Sequence, residues 1–337
     1  MSIQVGLNGF GRIGKCTFLQ LLEEEMFDIK CINTSLSLDS IERYINRDSN
    51  HGRRNYKVDI FENNFIKINN HFIKVVNERE LGKVEWDHFG VIYLIETTGV
   101  YLTKEELDKH QSRYVILSSP PKDDMKMFCF GVNHGTYKKQ KILSVASCTT
   151  NCLAPFLQAA DKIGSIESGS FITVHAATSS QNTTDSAHDK KRTNRSIFNN
   201  IIPHTTGASK CINQLIPSLQ NKIVGTSVRV PVSIVSMIDL NLTFETKVKL
   251  EDFFHFLDKI KISEVIEVNT QNCVSSDFIT TTTPTIVDKQ NCYQIDDKSI
   301  KFTLWYDNEW SYCSQLIRMI KYIYCRSSSK NLFPGYV

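Results

Sequence analysis

The sequence predicts an α/β protein in two parts: a doubly wound, mostly parallel sheet first, then an α+β unit on a mostly antiparallel sheet. Three observations carry this. Residues 3–33 read strand, glycine-rich turn, helix, strand, which is a βαβ unit. Apolar runs at 91–99, 114–120 and 141–147 each end in small polar residues, as parallel strands do where ligands meet their carboxyl ends. Beyond residue 148 the strand-like segments lengthen and alternate, the signature of half-buried antiparallel strands.

Taken in order, IQVGLNG (3–9) is a short buried strand, Lys15 to Glu25 has helical periodicity, and DIKCIN (28–33) is strand again. Between 53 and 85 the segments YKVDIF, NFIKIN and HFIKVV are short, alternating and separated by Asn-rich turns, which predicts antiparallel hairpins inserted in the sheet's connections. CLAPFLQAADKIG (152–164) reads as a helix, and strands are expected at 170–178, 222–232, 234–245 and 299–307, with a helix at 250–262. TTTT at 280–283 reads as part of a strand and its turn. These patterns divide the chain into a first domain at 1–147 and a second at 148–308, which the motifs below make a dinucleotide-binding and a catalytic domain. A final helix at about 309–325 returns to the first domain, and 326–337 is a loose tail.

With 337 residues the chain can bury two ordinary cores. Hydrophobic residues at 41% with charged residues at 22% exclude a disordered chain, and the strongest apolar runs are too short to span a bilayer. Net charge is +3, too weak to make nucleic acid the main partner. The basic run HDKKRTNR (188–195) admits a nucleic-acid or localisation patch, but a solvated loop is the simpler reading. The first residues enter a strand without a basic stretch and apolar core, so a cytoplasmic location is expected. The ten cysteines should then be mostly reduced thiols packed as small hydrophobes.

Two motifs carry chemistry. NGFGRIG (8–14) sets Gly9, Gly11 and Gly14 in G-x-G-x-x-G spacing between a strand and a helix. Glycines there allow close backbone approach, and the helix N-terminus offers N–H groups and a positive dipole end to a pyrophosphate, as in a Rossmann-type domain. The second motif, SVASCTTNCLAP (144–155), holds Cys148 and Cys152 four apart. A metal clip needs a second ligand cluster, and none is evident, so no metal is expected. A disulfide fits neither the spacing nor a reducing compartment. There remain an inert core thiol and a nucleophile. A helix start lowers a thiol pKa and favours the thiolate at Cys148, while Cys152 should point into the helix packing. His175, on a strand emerging into a hydroxyl-rich loop, is either a satisfied core residue or the base for that thiol.

NGFGRIG, TTGVYLT (97–103), SCTTNCLAP (147–155), HAATSSQ (175–181), NIIPHTTGASK (200–210), VRVP (228–231) and WYDNEW (305–310) together resemble the phosphorylating glyceraldehyde-3-phosphate dehydrogenase family. They stand in that family's order, over roughly residues 3 to 325. The resemblance implies glycolytic oxidation of D-glyceraldehyde 3-phosphate to 1,3-bisphosphoglycerate with inorganic phosphate and NAD, in a homotetramer. It implies Cys148 as nucleophile and His175 as base. Ser147, Thr149, Thr178, Thr206, Gly207 and Arg229, with Arg195 assisting, would hold the two phosphates. Arg12 and Ile13 would present backbone to the pyrophosphate, with Thr34, Arg79, Thr98 and Ser118 along the adenosine half. Asn308 would bind the carboxamide of the nicotinamide, and Tyr312 would pack beside its ring.

The chain departs from the family at Thr34, where an aspartate is usual, at Val145 for asparagine, at Ser311 for glycine, and in the loop 179–200, which in the family reaches toward a neighbouring subunit's cofactor. A carboxylate at position 34 would repel a ribose phosphate, so its loss leaves NADP use open beside NAD. The nearest alternatives are an erythrose-4-phosphate dehydrogenase of the same fold, against which Thr178 stands, and a non-catalytic binding relative, against which Cys148, His175, Asn308 and Arg229 stand together.

Overall fold

The computed structural model describes residues 2–187, 192–260 and 264–328. They divide into two compact units, one from 2–130, 134–147 and 313–328, the other from 131–133 and the described residues of 148–312.

In the first unit the elements are β1 (Ile3–Asn8), α1 (Arg12–Leu22), β2 (Phe27–Asn33), α2 (Leu38–Asn46), the two-residue strands β3 (Arg47–Asp48) and β4 (Gly52–Arg53), β5 (Asp59–Phe61), β6 (Phe65–Ile68), β7 (His71–Val76), β8 (Tyr93–Glu96), α3 (Lys104–Asp108), β9 (Tyr114–Leu117) and β10 (Ile142–Ser144). The sheet order is β10-β9-β8-β1-β2-β7-β6-β5. It is parallel from β10 through β7, and β6 and β5 add on antiparallel, so the alternating segments are the expected hairpins. The central strands β8 and β9 are buried throughout, which is why they read as unbroken apolar runs.

Helix α1 starts three residues before the predicted Lys15 and ends at Leu22. Its start is set by the turn: Lys15 N donates to Gly11 O, so helical bonding begins at the glycine. Helix α3 is short but closed by a capping box between Thr103 and Glu106.

The second unit holds α4 (Cys148–Gly164), β11 (Ile166–His175), β12 (Ile202–His204), α5 (Ala208–Leu215), β13 (Ile223–Arg229), β14 (Ser236–Phe244), α6 (Leu250–Lys259), β15 (Ile266–Asn269), β16 (Thr285–Asp288), β17 (Tyr293–Gln294) and β18 (Ser299–Tyr306). Its order is β12-β13-β11-β14-β18-β16-β15, with β17 on β18. Most pairs are antiparallel; β11 with β13 and β15 with β16 are parallel. The core includes Phe156, Phe253 and Phe302, whose rings pack at 4.7 to 5.4 Å. Helix α4 begins at Cys148, a turn earlier than the apolar run at 152 announced. The TTTT segment is not strand, since β16 starts only at Thr285.

Helix α7 (Trp310–Ser328) closes the described chain. Asp307 caps its start, Oδ1 accepting from Glu309 N and Trp310 N. From Cys313 onward it is counted with the first unit, where Ser314 Oγ donates to Gln20 Oε1 and Lys321 pairs with Glu24. All ten cysteines are thiols, eight of them buried. Among the described residues no helix is long and apolar enough to cross a membrane.

Candidate active site

In the first unit the strand ends converge on Glu96, the last residue of β8, which is fully buried. Its carboxylate accepts from Asn8 Nδ2 at 2.6 Å and Thr98 N at 2.7 Å, and the Thr98 hydroxyl also donates to it; His110 Nε2 lies at 3.2 Å. Asn33 Nδ2 donates to Asn8 Oδ1 and to Glu78 O, while Glu78 N donates to Asn33 Oδ1. A buried carboxylate thus fixes the ends of β1, β2 and β8, where ligands bind in such sheets. Sequence reasoning missed Glu96, and the only cue was an acid closing an apolar strand.

Around these ends lies a cavity of about 550 Å³ lined in part by Gly9, Gly11, Thr34, Arg79 and Thr98. Gly9 has φ of +97°, and a Cβ on Gly14 would stand 2.3 Å from Gly9 O, so only glycine fits the turn at both. At Gly11 nothing lies within 4 Å of an added Cβ, which leaves the approach to the start of α1 open. That helix has no side-chain N-cap. Arg12, Ile13 and Gly14 form its first turn, and a pyrophosphate fits such an end. The Arg12 side chain is turned to Asp48, at 2.6 and 3.1 Å, and buried Lys15 reaches Asp48 at 2.8 Å. Burial works to raise the Asp48 carboxyl, but these two cations and the N–H groups of His51 and Asn50 hold it well below the usual range. Thr34 Oγ1 accepts from Leu36 N. Ser118 donates to Glu96 O and does not line the cavity.

In the second unit Cys148 is half-buried at the first residue of α4. Its Sγ lies 3.5 Å from His175 Nε2. His175 ends β11 and pairs in register with Arg229 on β13. Its Nδ1 is 2.8 Å from Ala176 O and 2.5 Å from Arg229 Nη1, and that guanidinium also donates to Ala176 O at 3.3 Å. Arg229 Nε is buried with no partner, a donor set suited to an incoming oxyanion. Burial and the Arg229 charge lower the His175 pKa to about 3, so the imidazole is neutral, and a weaker base than a free histidine.

The Cys148 thiol departs from expectation. Burial pushes it up from its ordinary value, with the Arg229 charge and hydrogen bonds from Thr149 pulling back. The helix start alone therefore does not make a resting thiolate, because the same packing that aligns the thiol also desolvates it. Cys152 is fully buried in α4, as expected.

Of the other predicted residues, Thr149 is buried, and its hydroxyl meets Tyr306 Oη. Thr178 bonds Gln181 Oε1 through both its N and its hydroxyl. Thr206 Oγ1 accepts from Ala208 N at the start of α5, beside exposed Gly207. Arg195 pairs with Asp185 at 2.8 Å, both exposed. Asn308 is buried, its Oδ1 accepting from Ser236 Oγ, which itself accepts from Ala176 N. Tyr312 is buried in the first turn of α7. Ser147 is half-buried and counted with the first unit. Of the family departures, Ser311 donates to Asp307 O at 2.7 Å, and Val145 is a buried apolar residue whose N donates to Leu117 O. Residues 188–191 of the basic run lie outside the described residues.

Residues 3–104 match the model of the glyceraldehyde 3-phosphate dehydrogenase NAD binding domain, and residues 147–308 that of the C-terminal domain. Among curated relatives, cytosolic glyceraldehyde-3-phosphate dehydrogenase of Leishmania mexicana is 36% identical over 94% of this chain and 98% of its own. Glyceraldehyde-3-phosphate dehydrogenase A of Escherichia coli (strain K12) is 35% identical over 96% and 99%, and glyceraldehyde-3-phosphate dehydrogenase 2 of Bacillus subtilis (strain 168) is 32% identical over 97% and 98%. With both domain models matched and relatives aligned along nearly the whole length, the chain belongs to the glyceraldehyde-3-phosphate dehydrogenase family.

Proposed function

We propose that this protein oxidises D-glyceraldehyde 3-phosphate to 1,3-bisphosphoglycerate in glycolysis, with Cys148 as nucleophile and His175 as base. The observation that carries the reading is the 3.5 Å approach of Cys148 Sγ to a neutral His175 Nε2. Because the thiol is raised, the proton leaves as attack occurs: Sγ bonds to the aldehyde carbon, Nε2 takes the thiol proton and passes it to the resulting oxyanion, giving a thiohemiacetal and a neutral His175 again. When bound, the nicotinamide cofactor supplies hydride acceptance. His175 removes the thiohemiacetal hydroxyl proton as the carbon is oxidised, leaving a thioester on Cys148 that inorganic phosphate attacks, and Sγ leaves.

Both phosphates need donors. Arg229, Thr149, Thr178, Thr206, Gly207 and Ser147 fill that role in this reading, with Arg195 assisting; the partnerless Arg229 Nε supports it. In the first unit Gly9, Gly11, Arg12, Ile13 and Gly14 would hold the pyrophosphate, and Thr34, Arg79, Thr98 and Ser118 the adenosine half. Asn308 and Tyr312 would serve the nicotinamide. NAD is the inferred cofactor, with NADP also accepted because Thr34 carries no charge. A homotetramer is inferred from the family; Ile172 and Val224, 47% and 65% exposed on the neighbouring strands β11 and β13, offer apolar surface for a subunit contact. A cytoplasmic location is inferred from the relative named cytosolic.

The test is an assay of the purified protein with glyceraldehyde 3-phosphate, phosphate and either nicotinamide dinucleotide, beside Cys148→Ser. Reduced cofactor should form only when phosphate is present, and the variant should lose on the order of 10³-fold or more. Activity surviving Cys148→Ser would sink the mechanism.

A further inference from the structure

Tyr306 ends β18 and is 1% exposed. Its hydroxyl lies 2.9 Å from Thr149 Oγ1 and 2.9 Å from Thr173 Oγ1. Thr149 follows Cys148 in the first turn of α4, and Thr173 stands two residues before His175 on β11, so it shares that strand's face with the histidine. One phenol therefore ties the helix that begins with the thiol to the strand that carries the imidazole. Its ring meets the His175 ring edge-on at 6.0 Å.

The hydroxyls allow two directions. A phenol has one proton, so Tyr306 donates to one threonine and accepts from the other. If it donates to Thr173, the Thr149 proton is held by Tyr306, and only lone pairs face outward. If Thr173 donates to Tyr306 and Tyr306 to Thr149, the Thr149 proton is released toward Cys148, which that side chain also hydrogen-bonds, and toward an anion beside it. An anion at Thr149 favours the second direction, since lone pairs would repel it. Each donor in such a chain also polarises the next.

We propose that Tyr306 is the positioning residue of the oxyanion site: the chain from Thr173 through Tyr306 to Thr149 directs the Thr149 proton to a tetrahedral oxyanion bound beside Cys148. This rests on the reading of Thr149 as a phosphate ligand. The ligand chemistry is a phosphate oxygen, from inorganic phosphate or from a phosphomonoester.

The experiment reads binding, not turnover. Alkylation of Cys148 in the full-length protein by iodoacetamide is followed by peptide mass spectrometry at rising inorganic phosphate, and separately at rising glycerol 3-phosphate, which has no aldehyde to react. The half-protecting concentration of at least one anion should rise about fivefold in Tyr306→Phe. Thr173→Val, which breaks the chain from the other side, should reproduce the rise and serves if Tyr306→Phe does not fold. In a Thr149→Val background Tyr306→Phe should add nothing. A merely structural Tyr306 would lower the melting temperature and give the same shift with or without the Thr149 hydroxyl. The anion that shifts is the one Thr149 holds. Unchanged half-protection by both anions in both variants, or a shift that persists in Thr149→Val, overturns the proposal. Failure of both anions to protect the unaltered protein overturns the phosphate-ligand reading beneath it.

Discussion

Arg229 and His175 stand opposite each other in the parallel ladder of β11 and β13, with the guanidinium Nη1 2.5 Å from the imidazole Nδ1. A guanidinium has no lone pair, so this contact asks for a bare Nδ1. Ala176 O, at 2.8 Å, asks for a proton on the same atom. The two demands cannot both be met. In the proposed reaction an oxyanion would draw the guanidinium away, Nδ1–H would keep its bond to Ala176 O, and Nε2 would be left as an acceptor facing Cys148 Sγ.

Arg229→Met keeps much of the stem and removes the charge. After burial, that charge is the second cause of the low His175 pKa, so the His175 titration should rise from about 3, as read by NMR of the imidazole. The KM for glyceraldehyde 3-phosphate should rise on the order of tenfold or more. A histidine that still titrates near 3 would show that burial alone sets it.

The same depression makes the fold acid-sensitive. The folded pKa of about 3 lies below the unfolded value of 6.5, so as pH falls the unfolded chain binds this proton first. The stability is fully present above 6.5 and is lost between 6.5 and about 3. At pH 5 the loss from this group is ~2 kcal/mol. His175→Gln should therefore lose less stability than the unaltered protein between pH 7 and pH 5, measured by urea midpoints at both. Parallel losses would show that His175 is not the group responsible.

The strand patterns and the two motifs were legible because they are local: glycine spacing, alternation and apolar runs sit within a dozen residues. The placement of Cys148 at a helix start and of His175 at a strand end follows from that. What was not legible depends on partners distant in sequence. Glu96 meets Asn8 across 88 positions and Tyr306 meets Thr149 across 157, and only strand order and register bring them together. The thiol pKa failed for a related reason. A helix start is visible in a sequence, but the desolvation that opposes it is a property of the packed site.

Glu96→Gln tests the network at the strand ends. The carboxylate takes donors from Asn8, Thr98 and His110, and an amide would turn an NH₂ toward one of them. The cost should be about 1–3 kcal/mol, seen as a lower urea midpoint. Asn8, Thr98 and His110 also line the cavity, so the affinity for NAD should fall as well, read by quenching of tryptophan fluorescence. Unchanged stability would mean that the carboxylate is dispensable there.

Thr34→Asp bears on cofactor choice. Thr34 lines the cavity beside Arg79, and its Oγ1 accepts from Leu36 N, a bond an aspartate oxygen can also accept. The substitution thus adds a negative charge with little change in the turn. That charge repels the 2′-phosphate of NADP and leaves the ribose hydroxyls of NAD a stronger acceptor. The ratio of kcat/KM for NADP to that for NAD should fall about tenfold or more, which corresponds to about 1.4 kcal/mol. The change should appear mainly in KM, because the adenosine end lies away from the reacting carbon and binds ground and transition states alike. If the unaltered protein already rejects NADP as strongly as Thr34→Asp does, the uncharged Thr34 is not what sets selectivity, and Glu78 and Glu80, which line the same cavity, become the groups to substitute.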